Sequence, residues 1–317
     1  MSLHRLAIVI PAYKPDYFDR TLSSIVIQTN RAFTLYVGDD CSPYDIKSIV
    51  DRYEPRLDII YKRFETNLGG ENLVAQWERC VAMIRDEEWF CLFSDDDIMS
   101  NNFVEEIYNF MNMEADVLHA NIHIIDENDN VLRRCNPYPK HLNVAEYYRL
   151  VFARKLDSRM PEFVFRTDSF KQRGGFVFFD MAICSDNATV MNQAFGTGIH
   201  TIPNACVFWR TSGKSLSSMN SNKALIIRRE AAFVNFLDWS RKFFAAREER
   251  YPLDPVHELR LLLGIIKRLS PVDGFASVIR RTMGHSLMRG VFGRILFFPV
   301  ALVIYCVANV SSDEDRN

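Results

Sequence analysis

One stretch constrains this chain more than any other: Trp89-Phe90-Cys91-Leu92-Phe93-Ser94-Asp95-Asp96-Asp97-Ile98. A short apolar run without alternation suits a strand buried on both faces, as at the centre of a parallel sheet. Its aspartates then fall just past the carboxyl end, where open α/β sheets bind their ligands. Adjacent carboxylates repel one another, and a divalent cation carrying phosphate oxygens would offset that repulsion. A competing reading is a polar strand-to-helix turn, with Asp97 or Asn101 capping the next helix. Three carboxylates behind one buried strand favour the metal.

The residues before it repeat a strand–helix alternation. Leu6 to Ile10 reads as a strand broken by Pro11, and Phe18, Leu22 and Ile25 mark a helix. Phe33 to Val37 is a second strand, ending in the turn Gly38-Asp39-Asp40-Cys41-Ser42-Pro43, and a helix follows over 44–53. Leu57 to Tyr61 is a third strand, followed by the turn Asn67-Leu68-Gly69-Gly70 and a helix with Leu73, Trp77, Val81 and Ile84 on one face. Short alternating elements predict a Rossmann-like, mostly parallel sheet with right-handed crossovers. The carboxyl ends of such strands share one edge, so Asp39, Asp40 and Asp95 to Asp97 should converge.

Later residues predict a helix near Phe103, a strand over 116–125, a hairpin through Asp126 to Asn130, a helix over 143–154, and extended chain over 162–165. Ser185 and Asp186 suit the start of a helix. A strand over 199–209 leads into a loop carrying Arg210 and Lys214. From about residue 221 the pattern is helical, and near the end several arginines precede an apolar run over 295–310 interrupted by Pro299. That run falls short of the roughly 20 residues a spanning helix needs. It suits either peripheral contact with an anionic membrane face or an ordinary packed helix.

With 317 residues and a net charge of −2, the chain carries no global field for nucleic acid. Its seven scattered cysteines lack any Cys-x-x-Cys, which argues for reduced thiols. No signal peptide is evident, so the expected location is cytoplasmic, with the inner membrane face reached through the tail. The lack of Gly-x-Gly-x-x-Gly and of a Walker lysine motif leaves a metal as the counter-charge for phosphates.

Together these motifs resemble the family 2 glycosyltransferases of the GT-A fold, over roughly residues 5–215. Ile8-Val9-Ile10-Pro11-Ala12-Tyr13 is similar to the family's opening strand. Val37-Gly38-Asp39-Asp40-Cys41-Ser42 resembles its Val-Asp-Asp-Gly-Ser turn, whose second aspartate, here Asp40, recognises the base. Asn67-Leu68-Gly69-Gly70 resembles its Asn-x-Gly turn. Phe93-Ser94-Asp95-Asp96-Asp97 resembles its DxD stretch. Gly174-Gly175-Phe176 with Ser185-Asp186 resembles its Gly-Gly-Phe and Glu-Asp pair, whose aspartate is the base. The chain departs from the family at Ser94, where an aspartate is usual, at Ser185, which replaces glutamate, and at Asn187 and Val190, where the usual tryptophan is missing.

The resemblance implies a GT-A domain over 1–220, with a nucleotide-sugar half (1–115) and an acceptor half with a small sheet (116–220), then a helical C-terminal extension over 221–317. It implies an inverting transfer from a nucleotide-diphosphate sugar to a carbohydrate or lipid-linked carbohydrate acceptor, in surface polysaccharide or glycoconjugate synthesis. Asp186 would be the base, Asp96 and Asp97 would hold Mn²⁺ or Mg²⁺, and Pro11, Tyr13, Asp39, Asp40, Asn67, Gly69, Asp95, Arg210 and Lys214 would line the donor. Two alternatives share the layout: a sugar-nucleotide nucleotidyltransferase, for which Pro11-Ala12-Tyr13-Lys14 is a poor phosphate loop, and a membrane-bound scaffold without catalysis.

Overall fold

A computed structural model describes residues 4–211, 222–274, 276–278, 301 and 305. The chain forms two compact units, Met1–Phe178 with Ser185–Ser212, and Phe179–Cys184 with Gly213–Asn317.

The first unit runs β1 (Leu6–Ala12), α1 (Phe18–Val26), β2 (Phe33–Asp39), α2 (Ile46–Asp51), β3 (Ile59–Arg63), α3 (Leu73–Val81), β4 (Trp89–Leu92), β5 (Ile98–Met99), α4 (Phe103–Phe110), β6 (Val117–Ile125), β7 (Val131–Arg134), β8 (His141–Leu142), α5 (Val144–Phe152), β9 (Phe163–Arg166), α6 (Thr167–Gln172), α7 (Ser185–Ala194) and β10 (Ile199–Arg210). The strands make one sheet in the order β3-β2-β1-β4-β9-β6-β10-β5, with β7 on β6 and β8 on β10. β3, β2, β1 and β4 are parallel, as are β6 and β10. β9 runs antiparallel to both β4 and β6 and joins β6, β7, β8 and β10 to the same sheet as β1–β4.

Burial follows the apolar runs. Every residue of β2 and β4 is buried, and β4 lies between β1 and β9 as its unalternated sequence requires. Trp89, Phe90 and Cys91 are fully enclosed. β1 continues through Pro11 instead of stopping there. Its pairing with β4 ends at Val9, so beyond that point it pairs only with β2, and a residue without an N–H is tolerated. The aspartate triplet leads into the short strand β5, and α4 starts at Phe103 without a side-chain cap. Neither Asp97 nor Asn101 therefore acts as a helix cap. β5, β8 and α6 are too short to leave a period in the sequence.

In the second unit, α8 (Lys223–Ala245) is capped by Asn222, and α9 (Pro255–Leu269) by Asp254 with proline in its first turn. The buried carboxylates of Glu230 and Glu258 are paired with Arg268 and Arg241. Phe179 packs edge-on against Phe236 and Trp239. Among the described residues no helix is long and apolar enough to cross a membrane. Lys214 and nearly all of the basic and apolar tail lie outside the described residues.

Candidate active site

The parallel register brings the ends of β1, β2 and β4 to one edge. Ala12 pairs with Asp39, and the Asp40 amide donates to the Ala12 carbonyl at 3.0 Å. Most aspartates expected here hold loops in place. Asp39, fully buried, accepts from the Ser42 amide (2.8 Å), the Tyr61 hydroxyl (2.6 Å) and Arg63 (2.8 Å). Asp40 accepts from the amides of Leu68 (2.7 Å) and Gly69 (2.8 Å) and pairs with Arg79. A Cβ on Gly69 would stand 2.6 Å from the Asp40 carboxylate, so the turn needs glycine at that point. Asn67 closes the same turn by accepting from the Gly70 amide at 2.8 Å. Cys41 adopts the left-handed conformation (φ 53°) at the position matching the family's glycine.

The triplet divides into three roles. Asp95 accepts from the amides of Tyr13 (2.8 Å) and Lys14 (2.9 Å) and so straps down the loop after β1. Asp97 is fully buried; one oxygen accepts from the Arg210 amide at 2.8 Å and the other has no hydrogen-bond partner. Burial, with the Asp96 charge beside it, raises the Asp97 pKa well above the ordinary value. That is the position of an interior carboxyl, not of a second metal ligand open to substrate. Asp96 is partly exposed, and its carboxylate receives no hydrogen bond from any other described residue. Burial first, then the Asp95 charge, pushes its pKa up to about 7. A cation would relieve both costs.

The donor set fits a hard divalent ion. Among the described residues no three His, Cys, Asp or Glu side chains converge to hold a metal by themselves. Asp96 would therefore be the protein ligand, with nucleotide phosphates and water completing the shell, as is usual for Mg²⁺ bound with phosphate.

Arg210 stands differently from its expected place against the diphosphate. Its side chain is buried, donating to the carbonyls of Asp96 (2.8 Å) and Asp126 (2.7 Å), pairing with Asp129 (2.6 Å) and lying over the Tyr17 ring at 4.4 Å. It braces the triplet from β10 and has no free face for a ligand.

Asp186 begins α7. Its carboxylate accepts from the neighbouring Asn187 amide at 2.8 Å, and burial raises its pKa. Asn187, which looked like a departure, anchors that turn: its side-chain amide donates to Tyr147 (3.0 Å) and Ser158 (3.1 Å). Val190 is fully buried, so a core position takes the place of the family's tryptophan. Upstream, Gly174 and Gly175 both have positive φ, and Glu78 crowds the space a Gly175 side chain would take while accepting from the Phe176 amide at 2.8 Å. That accounts for Gly-Gly-Phe in steric terms.

The sequence reading missed a buried pair whose carboxyl feels the Asp186 charge. His119 stacks on Tyr138 at 3.7 Å and faces Glu162 at 3.4 Å. Both side chains are fully enclosed and without hydrogen-bond partners. Burial drops the His119 pKa to about 3 and raises that of Glu162 well above its usual range, with the Asp186 charge adding to the rise. Burial thus favours the neutral form of each. The two sit forty-three residues apart on different elements, and no local spacing could have joined them.

The model of glycosyl transferase family 2 matches residues 7–179. The chain is 26% identical over 171 residues to the poly(ribitol-phosphate) beta-N-acetylglucosaminyltransferase TarS of Staphylococcus aureus (strain MW2). That match covers 53% of this chain but only 28% of the relative, so the chain spans little more than a quarter of that protein's length. A crystal structure of S. aureus TarS 1-349 with UDP-GlcNAc aligns at TM-score 0.56 and 14% identity, covering 98% of this chain and 92% of that one. The mannosyltransferase PcManGT of Pyrobaculum calidifontis, in complex with GDP-Man and Mn²⁺, aligns at TM-score 0.53 and 14% identity, covering 96% and 87%. At such identities the likeness establishes the fold, a GT-A-like mixed sheet with extra C-terminal helices. With the family model spanning more than half of its residues, the chain belongs to glycosyl transferase family 2.

Proposed function

We propose that this protein is a metal-dependent, inverting glycosyltransferase that moves a sugar from a nucleotide-diphosphate sugar, a UDP-sugar first among candidates, to a hydroxyl of a surface-polymer or glycoconjugate acceptor. The observation that carries the reading is Asp96. It is the partly exposed carboxylate of the triplet to which no other described residue donates, at the edge where β1, β2 and β4 end. The relatives' complexes with UDP-GlcNAc, and with GDP-Man and Mn²⁺, support a nucleotide-sugar donor and a divalent ion.

In this reading Pro11, Tyr13 and the turns at Asp39–Asp40 and Asn67–Gly69 wall the base and ribose. The Asp40 carboxylate keeps lone pairs beyond those used by Leu68, Gly69 and Arg79. Lys14 lies near enough to Asp95 and Asp96 for its charge to act on both, and so belongs to the diphosphate end. A bound Mn²⁺ or Mg²⁺ would stabilise negative charge on the departing diphosphate. Asp186 takes the proton of the acceptor hydroxyl as its oxygen bonds to the anomeric carbon and the sugar–phosphate bond breaks. One attack on the opposite face inverts that carbon. Burial makes Asp186 a stronger base than a solvated aspartate, as general base catalysis favours.

The full-length protein would be cytoplasmic, meeting the membrane face peripherally through the segment after α9. The test is a panel of nucleotide sugars with Mn²⁺ or Mg²⁺, read by release of nucleoside diphosphate. The expected result is metal-dependent turnover of one donor class. Tight nucleotide binding without turnover on any donor or acceptor would identify a scaffold instead.

A further inference from the structure

We propose that the acceptor carries a phosphate group, and that Arg154 and Arg159 bind it in a cleft beside Asp186; the inference rests on the glycosyltransferase reading above. The cleft has a volume of about 390 Å³ and is lined by Arg133, Arg154, Asp157, Ser158, Arg159 and Asn187, among others. It adjoins the base directly. Asn187 is the next residue on α7, and the Arg159 charge acts on the Asp186 carboxylate.

The charges do not cancel. Three arginines line the cleft against one carboxylate, Asp157. That carboxylate is engaged by Arg133 through two hydrogen bonds of 2.7 Å each. Arg159 shares Asp157 more distantly, at 3.9 Å, donates to the Ser158 carbonyl at 2.7 Å and lies over the Trp209 ring, 4.8 Å away. Arg154 pairs with no carboxylate among the described residues. It follows the end of α5 at φ 58°, a backbone position that favours glycine. Local conformation therefore gives no reason for an arginine there.

Three arginines against one lining carboxylate, with Arg154 unpaired, make the cleft a poor site for a neutral sugar, which has no charge to offset the excess. They match the oxygens of a phosphate, which arginine forks grip in pairs. Such a group could sit in the backbone of a polyol-phosphate polymer or in a lipid-linked sugar diphosphate. Both offer the same chemistry next to the hydroxyl that Asp186 would deprotonate.

The experiment uses the full chain with saturating UDP and titrates three probes by calorimetry: a short polyol phosphodiester oligomer, the same polyol without phosphate, and a polyprenyl diphosphate sugar in detergent micelles. A phosphate-bearing probe should bind, more weakly as salt rises, and the phosphate-free polyol should not. Which of the two phosphate-bearing probes binds identifies the source. Arg154→Ala should weaken that binding about tenfold and Arg154→Lys less, with UDP affinity unchanged. Equal binding of the phosphate-free polyol would overturn the inference. So would unchanged affinity in both Arg154→Ala and Arg159→Ala. If the wild-type protein binds no UDP, the glycosyltransferase reading itself falls. If UDP binds and neither phosphate probe does, this inference alone is wrong.

Discussion

The proposed donor and acceptor sides of the first unit are built in opposite ways. On the donor side, carboxylates are tethered: Asp39, Asp40 and Asp95 each accept from loop amides or nearby side chains, and Asp96 alone of that set is left for a ligand. On the proposed acceptor side burial favours the neutral forms of His119 and Glu162, which face each other, and the cleft wall carries three arginines. The donor side thus uses negative charge to fix backbone and attract a cation. The proposed acceptor side instead disfavours charge in its core and gathers arginines along the cleft.

The contrast breaks hardest at the base. Asp186→Asn keeps size and polarity but removes the proton acceptor, and should cut transfer at least about a hundredfold while nucleotide affinity stays within a factor of two or so. Near-wild-type turnover would move the base elsewhere. The wild-type pH profile sharpens the same point. Asp186 must be ionised and its folded pKa is raised, so activity should fall as pH drops through a value above 3.8, the ordinary aspartate value. A flat profile down to that value would contradict the burial argument.

Tethered and ligand carboxylates should also part company in stability. Asp40→Ala strands two loop amides and a half-buried arginine, and should cost about 3 kcal/mol in a denaturant melt. Asp96→Ala removes no hydrogen bond and should change stability by less than about 1 kcal/mol. Equal losses would erase the distinction. The smallest effect belongs to Glu162. Its folded pKa is raised, so its contribution is fully present below the unfolded value of 4.5 and is lost as pH rises through the folded value. Glu162→Gln removes that slope. Relative to the wild type it should gain up to about 1.4 kcal/mol per pH unit across that window. Parallel stability curves would mean that Glu162 is not held neutral.

How much of this the sequence carried follows from the same contrast. The proposed donor-side chemistry sits at strand ends, so the apolar runs of β2 and β4 and the acidic turns after them pointed to both an element and a candidate ligand position. Asp39, Asp40 and the triplet converge as the parallel register requires. The triplet's division of labour was not legible, because it depends on which carboxylate meets the loop after β1 and which meets β10. Arg210 was misassigned for that reason: its position in a loop after a strand says nothing of the carbonyls of Asp96 and Asp126 that enclose it. On the acceptor side Asp186 was found through its motif. His119 on β6 and Glu162 just before β9 meet only when β9 is inserted between β4 and β6, and the exposed Arg154 and the cleft it lines leave no pattern in the sequence.

The most direct test of the central claim is UDP binding by calorimetry, with and without Mn²⁺, in wild-type protein and Asp96→Ala. The account predicts that Mn²⁺ strengthens binding about tenfold or more in the wild type, and that the gain disappears in the variant while its fold is kept. The same Mn²⁺-dependent gain in Asp96→Ala would contradict it.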